Sequence, residues 1–444
     1  MSTPVSREWR FWRHRIFAIT WVAYAGLYFC RKNFSVVMPM LEHDLGFSKL
    51  QLANLIAGFN VMYLIGQFSG GVLSDRLGPR LIVGIGLAVS VCSNILMGLA
   101  SSLTLFMMLA CLNGAGQSTG WPGLVKNMGC WFGRRERGVV MAWWGTNYVA
   151  GGFIATVFAT FVASFPAGFT QLGWRRGFFA PGLVLAVVAV AFVLLARNKP
   201  SDVGLPDPTV EEDSLDENDP RPSTDGIQSE GGSGSIFLRV LSNPTVWVIA
   251  SMYFFLKLTR YSILFWLPLY MTEHLGYGVA EAGYTSSVYE LVGFSGALIA
   301  GYASDKLMQS RRFPVGAVMM WGLALVSFLH PTLAAHGRWG NGIGIGLLGM
   351  MTYGPDTLMS GAAAQDTGSA RFAATTAGVI NGVGSAGQLL SPYVVSSVAE
   401  KYGWDDLFYL FVIFALIGGG LLATKWNHRS TATQPSFEGG RRTG

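Results

Sequence analysis

Long apolar runs separated by short polar connections recur along the whole chain. About twelve are long enough to matter: residues 16–41, 51–74, 81–100, 103–131, 139–165, 177–197, 244–272, 281–304, 314–334, 341–363, 373–397 and 404–425. A hydrocarbon core about 30 Å thick needs about 20 mostly apolar residues per helix. The pattern therefore predicts an all-α membrane protein with twelve transmembrane helices. The fourth run is interrupted by GAGQSTGWPGLVKNMG and would escape a simple hydropathy scan. One connection differs from the rest. Residues 198–236 are rich in Pro, Gly, Ser and acids, too polar to offset the cost of ordering. They separate six runs from six. The expected organisation is a cytoplasmic segment 1–15, a six-helix half 16–197, a largely mobile cytoplasmic linker 198–243, a second six-helix half 244–425 and a tail 426–444.

A weak internal repeat supports two related halves. The second run ends GGVLSDRLGPR (Gly70–Arg80) and the eighth ends AGYASDKLMQSRR (Ala300–Arg312). Both place Gly, then Ser-Asp, then a cation after a span, as expected of a tight turn at the membrane surface. Asp75 and Asp305 would face a helix N-terminus or a neighbouring cation there.

Composition agrees with a membrane protein: 51% hydrophobic residues against 13% charged, about half the charge of a soluble domain. The net charge of +6 sits in loops flanking apolar runs, which argues against a nucleic-acid surface. Lys and Arg crowd both ends and the even-numbered connections, whereas the odd ones carry Arg175, Arg176, Arg338 and Lys401. The positive-inside rule puts both termini in the cytoplasm. Cys30, Cys92, Cys111 and Cys130 read as small reduced apolar fillers. No cleavable signal peptide, Cys/His metal cluster, nucleophile elbow or hydrolytic triad is evident, so neither an enzyme nor a cofactor is expected. The Gly-rich GIGIGLLGMM and TTAGVINGVGSAGQ lack the strand and lysine context of phosphate loops. They read as close-packing helix faces.

The candidate chemistry lies in charges inside the spans. A guanidinium near mid-membrane costs at least a few kcal/mol and persists where it faces a polar cavity. Arg31 is such a group, and its planar fork matches two phosphate oxygens. Tyr24 and Tyr28 share its helix face by spacing. Arg260 repeats the argument in the second half, with Lys257 one turn earlier on the same side, and an anion between these cations would relieve their repulsion. Tyr261 and Trp266 read as packing aromatics. Glu290 and Asp356 must pair or protonate. If both face the cavity, Arg31, Lys257 and Arg260 leave a net of about one positive charge.

Several stretches resemble a known family. GGVLSDRLGPR resembles the major facilitator signature. YAGLYFCRKNFSVVMP, GWPGLVKNMGCWFGRRERG, NKPSDVGL, LTRYSILFWLPLY and YGPDTL together resemble the organophosphate:phosphate antiporter family, over roughly Trp12 to Thr424. The resemblance implies a major facilitator fold and a carrier that exchanges a sugar or glycerol phosphate for inorganic phosphate by alternating access, as a monomer in the bacterial inner membrane. A membrane sensor of a phosphorylated sugar, or a carrier of another organic anion, stays open. It also implies that Arg31 and Arg260 grip the phosphate, with Tyr24, Tyr28, Trp121, Trp144 and Tyr353 as aromatic contacts. Tyr148 stands where relatives carry His, Gln67 where they often carry Lys, Ser385 where they carry Tyr, and Phe265 where one branch carries an acid. These departures leave the phosphate grip intact; Lys257 either supplies the cation missing at Gln67 or is the structural partner of an acid. Asp75, Arg76, Arg137 and Asp305 are expected closing contacts; Glu290 and Asp356 are expected coupling groups.

Overall fold

The computed structural model describes residues 4–132, 140–141, 143–164, 170–206, 240–308, 311–363 and 373–428. All of Arg137, and the side chains of Asp75 and Asp305, lie outside that description. The described residues contain no strand. The helices are α1 (Pro4–Leu27), α2 (Phe29–Leu45), α3 (Lys49–Leu77), α4 (Pro79–Leu99), α5 (Leu103–Ser118), α6 (Gly120–Trp131), α7 (Thr146–Ser164), α8 (Arg176–Leu195), α9 (Pro244–Glu273), α10 (Val279–Tyr302), α11 (Arg312–Ala335), α12 (Arg338–Thr357), α13 (Ala373–Lys401) and α14 (Trp404–Ala423). Twelve spans result, because α1 with α2 forms the first and α5 with α6 the fourth. Six of the described helices are long and apolar enough to cross a membrane by composition alone. The others carry breaks or polar residues. Leu183, Val187, Val190 and Leu194 recur at helical spacing along α8 and stay exposed, an outward apolar stripe suited to lipid rather than water.

Helices α1–α8 pack into one half and α9–α14 into the other. The strongest contacts run α3 to α5 and α4 to α8 in the first, and α10 to α12 and α9 to α13 in the second. Glycine permits the α10–α12 approach: a Cβ at Gly296 would strike the Met350 carbonyl, and one at Gly349 the Tyr289 carbonyl. Contact between halves is carried by α2 on α9, α3 on α13 and α7 on α10.

The start of the expected linker is built rather than loose. Asn198 accepts the Arg80 amide at 2.8 Å, and Asn127 donates to the Asn198 carbonyl at 3.0 Å. Asp202 accepts the Asn198 amide at 2.9 Å, and Leu205 is buried. NKPSDVGL is thus a strap across the first half. It passes so close to Gly78 (φ 88°) that a side chain there would meet Asn198. Of the expected linker 198–243, residues 207–239 lie outside the described residues.

The two arginines that dissent from the charge rule have a local use. Arg175 donates to the Gly98 carbonyl at 3.0 Å and Arg176 to that of Ala163, so both cap helix C-termini, where a cation is favoured. The repeated turns differ in detail. The Ser74 carbonyl accepts Lys126 Nζ at 3.0 Å. In the second half the chain widens into a π-helical segment, Ala303–Leu307, and the Ser304 hydroxyl accepts Arg312 at 2.9 Å.

Candidate substrate-binding site

The first span breaks at Tyr28, where the backbone tightens: the Arg31 amide donates to the Tyr28 carbonyl at 3.1 Å. The polar interior of α5 sustains it, since the Cys30 carbonyl accepts Asn113 Nδ2 at 2.8 Å and Gln117 Nε2 at 3.0 Å. Gln117 then turns its oxygen to Arg31 Nε at 2.8 Å. The guanidinium is held by one amide and caged by the rings of Tyr63 (4.8 Å), Tyr28 (4.9 Å) and Phe59 (5.8 Å). Its Nη2 is buried without a hydrogen-bond partner among the described residues.

Across the interface, Arg260 on α9 lies over the Tyr353 ring at 4.3 Å. Its Nη1 donates to Asp356 at 2.6 Å, and its Nε is likewise buried without a partner among the described residues. Tyr28 and Tyr261 each interact electrostatically with both arginines. Both guanidiniums line one cavity of about 430 Å³, with Tyr24, Tyr28, Trp121, Tyr148, Lys257 and Gln67. Lys257 Nζ donates to Asn381 at 3.2 Å and sits 4.9 Å over the Tyr253 ring.

Four expectations need correction. Trp144 is fully buried behind Tyr24 (5.8 Å) and donates to Thr20 at 3.1 Å. It braces the cavity wall without lining it. Tyr353 is buried beneath Arg260 and supports it. Tyr261 lines the cavity, whereas Trp266 is a core residue. Glu290 is not a cavity acid: it pairs with Lys32 at 3.1 Å, both nearly inaccessible. The charge count changes accordingly. Lys32 and Glu290 cancel, as do Arg260 and Asp356, which leaves the positive charges of Arg31 and Lys257. Two charges suit a dianion better than the single one expected. Arg76 is exposed at the end of α3; the other expected closing residues fall outside the description.

The cavity is closed at the end remote from the termini. There the Ser35 hydroxyl donates to the Phe265 carbonyl at 2.8 Å, and Gln388 to Asn60 at 3.0 Å. Beyond the spans, Lys49 reaches Glu273 of the other half at 2.9 Å and Glu42 at 3.5 Å, while Trp404 donates to Glu273 at 2.9 Å. The helices nearer the termini, α1 and α6, have their main contacts inside their own half.

Burial and the Glu273 carboxyl push Glu42 up to about 7. Burial opposes ionisation of Glu273 too, but hydrogen bonds from Glu42, Lys49 and Trp404 hold it low. Glu42 is thus the carboxyl of the two that holds a proton more readily. Glu42 binds that proton more tightly than a free carboxyl, so its contribution to closure is complete below the ordinary carboxylate range and fades as pH climbs through about 7. Spin labels at positions 43 and 274 should separate progressively from pH 5 to 8. Glu42→Gln should flatten the response. An unchanged pH profile in that variant would remove Glu42 from the closure.

Sequence reasoning missed Tyr63, Gln117, Asn381 and Gln388. The usable signal was amide and phenol side chains inside spans, since polar groups at that depth face cavities or one another.

A family model described as Major Facilitator Superfamily matches residues 20–392. A probable hexose phosphate transport protein of Chlamydia trachomatis is 31% identical over 95% of this chain and 93% of its own. The membrane sensor protein UhpC of Escherichia coli is 29% identical over 94% and 93%. Among solved structures, a bacterial homologue of the human lysosomal transporter Spinster superposes with a TM-score of 0.75 at 16% identity, covering 95% of this chain and 97% of that one.

Proposed function

Since the chain belongs to the Major Facilitator Superfamily, we propose that it is a secondary transporter exchanging an organophosphate for inorganic phosphate by alternating access. The observation that carries this reading is the pair Arg31 and Arg260. They come from opposite halves onto one cavity, and each keeps a buried N–H without a partner among the described residues. A buried donor of that kind demands an acceptor. A tetrahedral oxyanion offers one to each guanidinium at once.

Phosphate bound between the two draws the halves together on the terminus side and loosens the far end, which a ligand achieves only through differential affinity for the two states. Both termini are cytoplasmic in this reading, the closed end faces outward, and the structure is inward-facing. The chain works as a monomer in the inner membrane, with 198–243 joining the halves.

Similarity to a sensor protein motivates a second reading, in which the same site reports a phosphorylated sugar. Rates decide between them. Vesicles loaded with phosphate and given labelled glucose 6-phosphate should exchange at carrier rates, with competition by external phosphate. Binding without exchange would favour the sensor, and indifference to phosphate would favour a carrier of another anion.

Lys257 supplies the further positive charge on the cavity wall. Lys257→Gln should weaken phosphate binding about tenfold, the loss of about 1.4 kcal/mol, whereas Gln67→Ala should change it little. Equal, negligible losses in equilibrium binding would end the idea.

A further inference from the structure

The Arg260 fork is already engaged by an acid of its own half. Asp356 Oδ2 lies 2.6 Å from Arg260 Nη1, with both side chains about nine-tenths buried. Asp356 Oδ1 is buried and has no hydrogen-bond partner among the described residues. An oxyanion that takes Arg260 competes for the same donors. The displaced carboxylate would then be a buried charge without its partner, and protonation is the least costly response to that. The groups that interact electrostatically with Asp356 are Arg260 and Lys257, with the phenols of Tyr148, Tyr253, Tyr261 and Tyr289. The Tyr253 phenol stands in hydrogen-bonding reach of the Asp356 carboxylate, but none of the phenols brings an opposite charge. Lys257 is engaged by Asn381 and faces the cavity where the anion binds. Glu290, the other mid-span carboxylate, stays with Lys32 at 3.1 Å and is not displaced by a ligand at Arg260.

We propose that Asp356 gives the carrier a second activity: proton-coupled net uptake of the phosphate ester. The proposal rests on the phosphate-ester reading of the cavity. As the dianion enters and takes Arg260, one proton passes from the water of the cavity to Asp356. On the other side the ester leaves, the new O–H bond breaks, the proton returns to water, and Asp356 pairs with Arg260 again. No other reactant is required. The pair also changes the empty carrier. With Arg260 neutralised internally, the repulsion between the two halves that would block its return is reduced, so a cycle without a returning phosphate becomes possible. A chain with an apolar residue at position 356 would leave Arg260 charged and alone, and would be held to exchange.

The experiment uses the full chain in vesicles and in detergent, with glucose 6-phosphate as probe. Above pH 7 this ester is mostly a dianion, its second pKa being about 6. In phosphate-free vesicles at internal pH 8.5 and external pH 7, wild type should accumulate the label above equilibrium, and a protonophore should abolish the gain. Calorimetry at pH 8 in buffers of different ionisation enthalpy should report uptake of about one proton per ester bound. Asp356→Asn should bind with no proton uptake, and Asp356→Glu should restore it. If the Asn variant does not fold, the wild-type proton count decides alone. Exchange in phosphate-loaded vesicles without gradient-driven uptake and with no proton bound overturns the inference and leaves the exchanger intact. Failure of exchange and of net uptake together overturns both.

Discussion

Replacing Arg31 or Arg260 by lysine is expected to reduce phosphate exchange at least about 100-fold, which corresponds to about 2.7 kcal/mol. Charge survives in both variants, so the size of the loss measures geometry. Lysine is a compact point charge and cannot offer two parallel N–H groups to one oxyanion. At position 31 it also forfeits the Gln117 contact that aims the head group and the guanidinium's contacts over the rings of Tyr63 and Tyr28. At position 260 it loses the face-on contact with Tyr353. Arg7→Lys, on the exposed start of α1, is the control and should exchange normally. Initial rates in phosphate-loaded vesicles give the comparison directly. Near-normal exchange in Arg31→Lys and Arg260→Lys would remove both from the site.

The second large effect concerns Lys32 and Glu290. Their 3.1 Å pair joins α2 of one half to α10 of the other and is almost wholly inaccessible. Removing one partner of a buried pair leaves an uncompensated charge at a cost of about 3–5 kcal/mol. Glu290→Gln should therefore destabilise the state closed at the far end, because that closure is what buries the ammonium. The distance between labels at His43 and His274 should lengthen at pH 6, with a population shift of at least about 150-fold, the equivalent of about 3 kcal/mol. Lys32→Met combined with Glu290→Gln removes both charges and should recover most of the closed population. A double variant as open as the single one would mean that the pair acts through something other than its charge.

Much of this arrangement was legible from residue type and depth. A cation in the middle of an apolar run is conspicuous, and both Arg31 and Arg260 stand where that logic puts them. Lys32 was equally conspicuous, but its role depends on a turn of about 100° from Arg31 along the helix and on a partner far away in sequence. No local pattern reveals that distance. Trp144 and Tyr353 illustrate the same limit. Spacing assigns a ring to a helix face, while the residue that covers it, Tyr24 in one case and Arg260 in the other, belongs to tertiary packing. The break at Tyr28 was hidden because its cause sits on another helix, in the amides of Asn113 and Gln117. NKPSDVGL read as linker because its residues are polar, yet its polar groups are consumed by the ends of neighbouring helices.

The central claim is that one oxyanion is held by Arg31 and Arg260 together. A double-mutant cycle on phosphate affinity, measured by equilibrium binding to Arg31→Gln, Arg260→Gln and the combined variant, tests it without reference to transport. Joint coordination predicts that each single variant loses nearly all specific affinity and that the double is scarcely worse, a coupling of about 1–3 kcal/mol. Losses that simply add, or a single variant that binds phosphate as wild type does, would contradict the account.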